Sequence, residues 1–255
     1  MLSVAESWRA IMRNVIVTGG SRGLGLSIVK YLVADGYHVT AIARRESEQL
    51  HEEIVRAGLE HAGAIAFVPF DFADLDSIPD LVSRLKKQFG VPYGLINNAA
   101  IGTEGLLATM HNSQIEELLR INVAAPITLT KYVVRNMMAA GSGRVVNISS
   151  IVGSTGYSGL SVYGSTKAAM IGFTKSLARE VGRLGITVNA IAPGFMTTEM
   201  TVSLDATDRV KVARRAALLR LAEVEDVANA VGYLLDDRAR NVTGTVLTVD
   251  AGATA

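Results

Sequence analysis

Short apolar runs alternate with longer segments of mixed polarity along almost the whole chain of 255 residues. The runs that we predict to be strands are residues 15–18, 38–43, 64–70, 93–97, 143–149, 186–192 and 245–249. The segments that we predict to be helices are residues 24–35, 47–58, 75–89, 112–139, 162–184 and 224–235. Continuous apolar runs are typical of strands that are covered on both faces. The alternation therefore predicts an α/β fold, a doubly wound parallel sheet of about seven strands with helices on both faces.

No Pro-rich or Ser-rich linker and no internal repeat divides the chain, which is long enough for one α/β domain with a sizeable core. We therefore expect a single domain over residues 14–255, preceded by an N-terminal extension of residues 1–13. That extension is too short and too polar for a signal peptide, and Glu6 argues against a transit peptide.

Composition argues against several classes of partner. The net charge of +1 creates no strong field for nucleic acid, and no apolar run reaches the length of a membrane span. The chain has no Cys, which excludes disulfides and thiolate metal sites and fits a cytoplasmic location. The histidines show no metal-ligand spacing, so we expect no metal and interpret them as surface residues: His38, His51, His61 and His111.

A glycine-rich turn separates the first predicted strand from the first predicted helix. The turn contains Gly19, Ser21, Arg22, Gly23, Leu24 and Gly25. A strand, a glycine turn and a helix in this order direct backbone N–H groups at a pyrophosphate. The spacing differs from the general G-x-G-x-x-G fingerprint, and glycines also serve plain turns. The turn is therefore a candidate dinucleotide site that needs support from elsewhere in the chain.

Tyr163 and Lys167 lie four residues apart in a predicted helix, so their side chains share one face. A nearby ammonium favours the phenolate and lowers the pKa of a tyrosine from its reference of about 10, which suits a general acid or base. Ser150 precedes Tyr163 and supplies a further hydroxyl that can hold a substrate oxygen. Each residue alone fits an ordinary structural role. Together with the glycine turn, they indicate reduction of a carbonyl.

The candidate motifs share one edge of the predicted sheet. They fall at or just after predicted strand ends, at Thr18, Asp71, Asn97, Ser149-Ser150 and Pro193-Gly194. Ligands of open α/β sheets bind outside the carboxyl ends of the strands. This placement supports a single site without reference to any family.

In this order, the motifs make the chain resemble the short-chain dehydrogenase/reductase family, and within it most of all the bacterial 3-oxoacyl-acyl-carrier-protein reductases. They are Thr18-Gly19-x-x-x-Gly23-x-Gly25, Asn97-Asn98-Ala99-Ala100, Asn122, Ser150 with Tyr163 and Lys167, and Pro193-Gly194 with Thr198. The resemblance runs from about Asn14 to the C-terminus and implies a Rossmann-type domain. The cofactor-binding residues that it implies are Gly19, Ser21, Arg22, Gly23, Leu24, Gly25, Arg44, Asp71, Phe72, Asn98, Ala99, Tyr163, Lys167, Pro193, Gly194, Met196 and Thr198.

The end of the second predicted strand favours NADP(H) over NAD. Ala43 stands where NAD-dependent members usually carry Asp, and Arg44 follows it directly. Arg22 and Arg44 can bind a 2′-phosphate through charge-assisted hydrogen bonds. Glu46 is close by and is able to pair with Arg44 or Arg45 instead. We predict NADP(H) as the cofactor.

The resemblance also implies a role for each catalytic residue. Tyr163 would protonate the developing alkoxide, and Ser150 would hydrogen-bond the same oxygen. Lys167 would lower the pKa of Tyr163 and bind the nicotinamide ribose. Asn122 would hold a water that links Lys167 to solvent.

The substrate is less well defined than the cofactor. Residues 196–221 follow the cofactor motif and are rich in charge, so we expect them to form a lid over the active site. Its basic excess suits an acyl carrier protein or equally a solvated helix face. Related reductases often carry a basic residue where this chain has Ser142 and Leu184. The expected substrate is a 3-oxoacyl thioester, the alternatives being another ketone, sugar or secondary alcohol, or a non-catalytic NADPH-binding regulator.

The family usually assembles through its fourth and fifth long helices, which correspond to residues 112–139 and 162–184. The second of these segments carries small residues that would allow close helix approach or pack on the sheet: Gly164, Ala168, Ala169 and Gly172. We expect a homotetramer.

Overall fold

A computed structural model of the chain describes residues 12–60, 63–196 and 206–255. Seven strands form one sheet in the order β3-β2-β1-β4-β5-β6-β7, and all neighbours are parallel. The strands are β1 (Asn14–Thr18), β2 (His38–Ala43), β3 (Ala64–Pro69), β4 (Gly94–Asn97), β5 (Gly143–Ile148), β6 (Ile186–Pro193) and β7 (Val246–Val249). The order reverses between β1 and β4, which creates the crevice where doubly wound sheets bind nucleotides. The predicted fold class is confirmed.

The helices connect these strands. They are α1 (Gly23–Ala34), α2 (Glu48–Glu60), α3 (Ile78–Phe89), α4 (Asn112–Leu119), α5 (Ala125–Ala140), α6 (Val152–Thr155), α7 (Ser161–Val181), α8 (Ala206–Ala213) and α9 (Val224–Leu235). A π-helical turn, Arg120–Ala124, joins α4 to α5. Single 3₁₀ turns lie at Leu107–Thr109, Gly182–Leu184 and Asp237–Ala239.

The sheet separates two apolar layers. On one face, α1 and α9 pack against the sheet through side chains such as Leu32, Val231 and Leu235. On the other face, α3, α5 and α7 do so through side chains such as Leu81 and Leu129. Because both faces are covered, all residues of β1, β5 and β6 are buried. This accounts for the continuous apolar runs in the sequence.

The predicted single helix over residues 112–139 is wrong at its centre. The Ala125 N–H donates to the carbonyl of Arg120, five residues earlier, so the helix widens between α4 and α5. Pro126 has no N–H, and its ring would clash with the carbonyl four residues before it in a regular helix. That carbonyl belongs to Asn122, so the break falls on a predicted catalytic residue. The short helix α6 and the helix α8 were not predicted either.

The predictions for the histidines and for the N-terminal extension have different outcomes. His38 is only partly exposed, because its ring packs against Phe89 with centroids 5.0 Å apart and its Nδ1 lies 3.2 Å from the Asn14 side chain. His51 and His111 are exposed as predicted, and His61 lies outside the described residues. Residues 1–11 of the expected extension also lie outside them, so its boundary stays a prediction.

Within the three described ranges, no helix is long and apolar enough to cross a membrane. The same ranges contain no group of three or more His, Asp or Glu side chains that could hold a metal ion.

Candidate active site

The glycine turn after β1 has a backbone path that only glycine takes without strain. Gly19 and Gly23 have φ angles of +66° and +53°, in the left-handed region. A Cβ on Gly25 would lie 2.0 Å from the carbonyl oxygen of Gly19. A Cβ on Gly23 would meet nothing within 4 Å, so the start of α1 faces open space. This arrangement leaves the first N–H groups of α1 accessible to an anion.

Asn98 and Thr18 hold this turn against the end of β4. The Asn98 side-chain N–H donates to the Thr18 carbonyl at 2.9 Å. The Thr18 hydroxyl accepts the N–H groups of Asn98 and Ala99, each at 3.0 Å. These contacts couple the two strands at the reversal of sheet order. The amide of Asn98, predicted to bind cofactor, is therefore engaged in positioning the turn.

The predicted 2′-phosphate residues lie beside the same turn. The Ser47 hydroxyl donates to the Ser21 carbonyl and accepts the Leu50 N–H, which ties the turn to the start of α2. Arg22 and Arg44 are both exposed on this part of the surface. The Glu46 carboxylate lies 2.8 Å from the ring of His51, and among the described residues no ion pair joins it to Arg44. Arg44 thus keeps its guanidinium available for an anion.

The neighbouring predicted cofactor residues are positioned by local packing. Asp71 is exposed, and its carboxylate accepts the Ala73 N–H at 3.0 Å. Phe72 is buried, with its ring 5.2 Å from that of Phe70. Leu24 is partly buried and packs on the core beneath α1. The hydrophobic member of the Asp71–Phe72 pair therefore anchors the loop that presents Asp71 at the rim.

Ser150, Tyr163 and Lys167 come together between the end of β5 and the first turns of α7. The Ser150 hydroxyl lies close enough to Tyr163 to act on the pKa of its phenol. The Lys167 ammonium donates to the Ile148 carbonyl at 2.9 Å and lies 5.6 Å from the centre of the Tyr163 ring. Ser149 turns its hydroxyl away, to the Lys167 carbonyl at 2.8 Å. Ser150, and not Ser149, is thus the serine that faces Tyr163.

Burial controls the acidity of this pair. Burial raises the pKa of Tyr163 to about 12, while the nearby Ser150 hydroxyl acts in the opposite direction. It lowers the pKa of Lys167 to about 8, because the side chain is almost fully removed from water. The sequence-based expectation that Tyr163 has a lowered pKa is therefore wrong for this structure. A phenol that keeps its proton at neutral pH is nevertheless what a proton donor requires.

Asn122 is buried in the π-helical turn and bonds to two separate parts of the chain. Its side chain accepts the Ile101 N–H at 2.9 Å and donates to the Ile101 carbonyl at 2.8 Å. It also donates to the Thr166 hydroxyl at 3.2 Å, which in turn donates to the Tyr163 carbonyl at 2.7 Å. Asn122 therefore links the loop after β4 to the helix that carries Tyr163.

The sequence analysis placed Asn97 at a strand end but missed the buried chain of polar side chains that it belongs to. Asn97 donates to Asn147 at 2.8 Å and to Thr130 at 2.9 Å, and Asn147 donates to Thr174 at 2.8 Å. Asn97 and Asn147 are register partners in β4 and β5. The available signal was an Asn near the end of each of two neighbouring strands, Asn97 and Asn147.

The segment after β6 completes the rim. The Pro193 carbonyl accepts the Ile151 N–H at 3.0 Å, and the Gly194 N–H donates to the Val249 carbonyl at 2.9 Å. A Cβ on Gly194 would lie 2.7 Å from the Asp250 Cβ, so the close approach requires glycine. Met196 pairs with Ala222 in an isolated parallel bridge. Residues 197–205 of the expected lid, which include Thr198, lie outside the described residues.

Comparisons with known proteins agree with this geometry. The family model for short chain dehydrogenase matches residues 13–209. The 3-oxoacyl-[acyl-carrier-protein] reductase FabG of Staphylococcus aureus (strain Mu50 / ATCC 700699) is 35% identical over 243 residues, which cover 94% of this chain and 97% of that protein. The solved structure described as ElxO with NADP bound has a TM-score of 0.87 at 30% identity and covers 95% of this chain and 99% of that chain. A short-chain type dehydrogenase/reductase from Mycobacterium ulcerans has a TM-score of 0.89 at 30% identity, with 94% and 89% coverage.

The chain therefore belongs to the short-chain dehydrogenase family and is an oxidoreductase. The resemblance inferred from the sequence motifs is confirmed.

Proposed function

We propose that the protein uses NADPH to reduce a ketone to a secondary alcohol, and that the ketone is a 3-oxoacyl thioester. The observation that carries this proposal is the meeting of Ser150, Tyr163 and Lys167 on the same rim as the glycine turn. This reaction requires a hydride donor and a proton donor beside the same carbonyl group. The proposal is supported because the candidate residues for both lie near the carboxyl ends of the strands.

The described residues act on the carbonyl oxygen. Tyr163 donates its proton to that oxygen. Ser150 forms a hydrogen bond with the same oxygen and helps to hold it beside the Tyr163 hydroxyl. Lys167 is fixed by Ile148 beside the Tyr163 ring, where its positive charge assists departure of the phenol proton. The bound cofactor supplies the hydride.

The residues of the turn fit a dinucleotide. Gly23 leaves the start of α1 open, and Gly19 and Gly25 allow the turn to close against Asn98. Arg22 lies in the turn and Arg44 directly after β2, both are exposed, and Ala43 supplies no carboxylate to repel a 2′-phosphate. A relative of solved structure is described as having NADP bound. These features support NADPH rather than NADH.

The cofactor choice is tested by replacing Arg44 with Asp and measuring kcat/KM for NADPH and for NADH. Hydrogen bonds to a charged group contribute about 1.5–3 kcal/mol, so the NADPH/NADH ratio should fall at least about tenfold. Arg84→Asp, at an exposed position of α3, is the matched control and should leave the ratio unchanged. An unchanged ratio in the Arg44 variant would show that Arg44 does not bind the 2′-phosphate of the cofactor.

The substrate assignment is supported by the relatives named as 3-oxoacyl-[acyl-carrier-protein] reductases, at 35–37% identity over most of the chain. The test follows NADPH oxidation with an acetoacetyl thioester, in parallel with simple ketones. Turnover of the thioester supports the proposal. Turnover of simple ketones alone would show that the substrate is another carbonyl compound.

An acyl carrier protein partner and a cytoplasmic location stay predictions. Arg214, Arg215 and Arg220 are exposed after α8 and offer positive charge to an acidic carrier.

A further inference from the structure

The loop between β2 and α2 carries opposite charges side by side. Arg44 and Arg45 follow β2 directly, Glu46 comes next in the chain, and all three are exposed. Two residues of extended chain span only about 7 Å, so a carboxylate at position 46 is within reach of both guanidiniums. Such a carboxylate would compete with the 2′-phosphate of NADPH for the same N–H groups.

His51 engages that carboxylate instead. The Glu46 carboxylate oxygen lies 2.8 Å from the His51 Nδ1. An ionised carboxylate only accepts hydrogen bonds, so Nδ1 carries a proton and is the donor. Both the imidazolium and the neutral ring that is protonated at Nδ1 can donate in this way, so the contact does not require a charged ring. Among the described residues, no ion pair joins Glu46 to Arg44 or Arg45.

The start of α2 brings the two side chains of this contact together. The Ser47 hydroxyl accepts the Leu50 N–H at 3.1 Å, and the Ser47 carbonyl accepts the His51 N–H at 3.0 Å. Ser47 is therefore the N-cap, which puts Glu46 one residue before the cap and His51 at the fourth helical position. Side chains at these two positions often form an apolar contact that fixes the angle at which the chain enters the helix. Here a carboxylate and an imidazole make the same contact.

The N-cap also ties the loop to the glycine turn. The Ser47 hydroxyl donates to the carbonyl of Ser21, the residue directly before Arg22. The loop after β2 and the turn after β1 therefore lie next to each other, and each carries a candidate residue for the 2′-phosphate, Arg44 and Arg22. The position of the Glu46 carboxylate thus affects the charge that this surface presents to the cofactor.

We propose that His51 is a positioning residue for the cofactor, which holds the Glu46 carboxylate away from Arg44 and Arg45 and so preserves the preference for NADPH. The inference rests on the proposed use of NADPH and adds a residue that acts through a neighbouring side chain. The His51 side chain is 68% exposed, so its replacement leaves no cavity in the core.

The expected signature is a loss of affinity for NADPH alone. His51→Ala releases the Glu46 carboxylate to the arginines, and the 2′-phosphate then has to displace it. The Kd of NADPH should therefore rise by about two- to fivefold, the range that an exposed ion pair covers. The Kd of NADH should not change, because NADH has no 2′-phosphate.

The experiment measures the Kd of NADPH and of NADH by fluorescence titration of the wild type, His51→Ala, Glu46→Gln, the double variant and Gln49→Ala. Gln49→Ala is the matched control, because Gln49 is exposed in the same turn of α2, and it should behave as the wild type. Glu46→Gln removes the competing charge, so the double variant should bind NADPH as tightly as Glu46→Gln alone. A rise in the Kd of NADPH in His51→Ala that the second substitution reverses supports the proposal.

The contrary results separate this inference from the proposed function. An unchanged Kd of NADPH in His51→Ala overturns the role of His51 and leaves NADPH as the cofactor. A raised Kd that persists in the double variant also overturns that role, because it shows that the contact only shapes the start of α2. A wild type that binds NADPH no more tightly than NADH contradicts the proposed cofactor, and the role of His51 fails with it.

Discussion

At the scale of single residues, the Tyr163 hydroxyl should carry most of the chemical step. Its pKa is raised to about 12 by burial, so the phenol is protonated and ready to donate at neutral pH. Tyr163→Phe removes that proton and should lower kcat by about 10²–10⁴, the usual contribution of general acid catalysis. NADPH affinity, measured by fluorescence titration, should remain close to that of the wild type.

Tyr233→Phe is the matched control for this variant, because Tyr233 is exposed on α9 away from the strand ends. It should retain full activity. If Tyr163→Phe were as active as Tyr233→Phe, the proton donor would have to be another group.

Lys167 should determine how the reduction depends on pH. Burial lowers its pKa to about 8, whereas the pKa of Tyr163 is raised to about 12. The charged, active form of Lys167 is present below its pKa and is lost as the pH rises through it. We therefore expect kcat/KM for ketone reduction to be level at neutral pH and to fall above a pH of about 8.

Lys167→Arg separates this effect from a general loss of stability in alkali. An arginine stays charged up to a pH of about 12, so the activity that remains in this variant should not fall near 8. A wild-type profile that stays level to a pH of about 10 would show either that the pKa of Lys167 is not lowered or that its charge is not needed, and both results contradict the prediction.

At the scale of elements, the C-terminal segment joins the chain after α8 to the cofactor side of the sheet. The Leu218 N–H donates to the Ala251 carbonyl at 3.0 Å. The Asp250 carboxylate accepts the N–H groups of Gly252 and Thr254, each at 2.9 Å. Since Asp250 also contacts Gly194, this clamp should hold the segment after β6 in place.

Ala251 is strained within this clamp, because its φ of +56° is in the left-handed region. That conformation costs a residue with a Cβ about 1–2 kcal/mol, and glycine avoids this cost. Glycine also raises the conformational entropy of the unfolded chain, which cancels part of the gain in stability. Ala251→Gly should therefore raise the free energy of unfolding by about 0.5–1 kcal/mol. Urea denaturation gives the measurement.

Ala230→Gly provides the contrast, because Ala230 lies inside α9, where glycine costs about 0.5–1 kcal/mol. The two substitutions should shift the denaturation midpoint in opposite directions. A loss of stability in both would mean that Ala251 is not strained.

The same scale shows what the sequence can and cannot predict. Most helices and strands follow from apolar patterning, and α9 has the predicted bounds of residues 224–235. Pro126, in the interior of the predicted helix, was a signal for a break, but the apolar period continues through it and does not show that the break is a π-helical turn. Helix α6 has only four residues, too few for any period to show.

At the scale of the whole molecule, long-range polar contacts could not be predicted from local pattern. The bonds from Asn122 to Ile101 and from Asn97 to Asn147 join residues 21 and 50 positions apart. Ser150 was found because it falls at a strand end on the edge of the sheet where ligands bind. Tyr163 and Lys167 were found from their spacing of four residues, and Asn122 from the family resemblance. The pKa of Tyr163 was predicted in the wrong direction, because it depends on burial that only the folded chain creates.

Three of the four small residues that were predicted to allow close helix approach lie exposed on α7. Gly164 is used within the chain, where a Cβ would lie 3.2 Å from the Val152 side chain. Ala168, Ala169 and Gly172 are exposed, and a Cβ on Gly172 would meet nothing within 4 Å. Exposed apolar side chains on α5 include Ile127 and Met138. These features favour burial of both helices against a second copy of the chain.

Gly172→Arg should therefore reduce the oligomer to smaller species. Small residues let helix backbones approach closely, and a two-fold interface presents the same patch from both copies, so the substitution introduces bulk and charge twice. The folded monomer should tolerate the change, because arginine is a better helix former than glycine by up to about 1 kcal/mol. Gly58→Arg is the matched control, since Gly58 is also an exposed helical glycine with open space around it, in α2. Sedimentation velocity should give a homotetramer for the wild type and for Gly58→Arg, and a lower mass for Gly172→Arg. A monomeric wild type would contradict the assembly, and an unchanged mass in Gly172→Arg would place the interface on another face of the molecule.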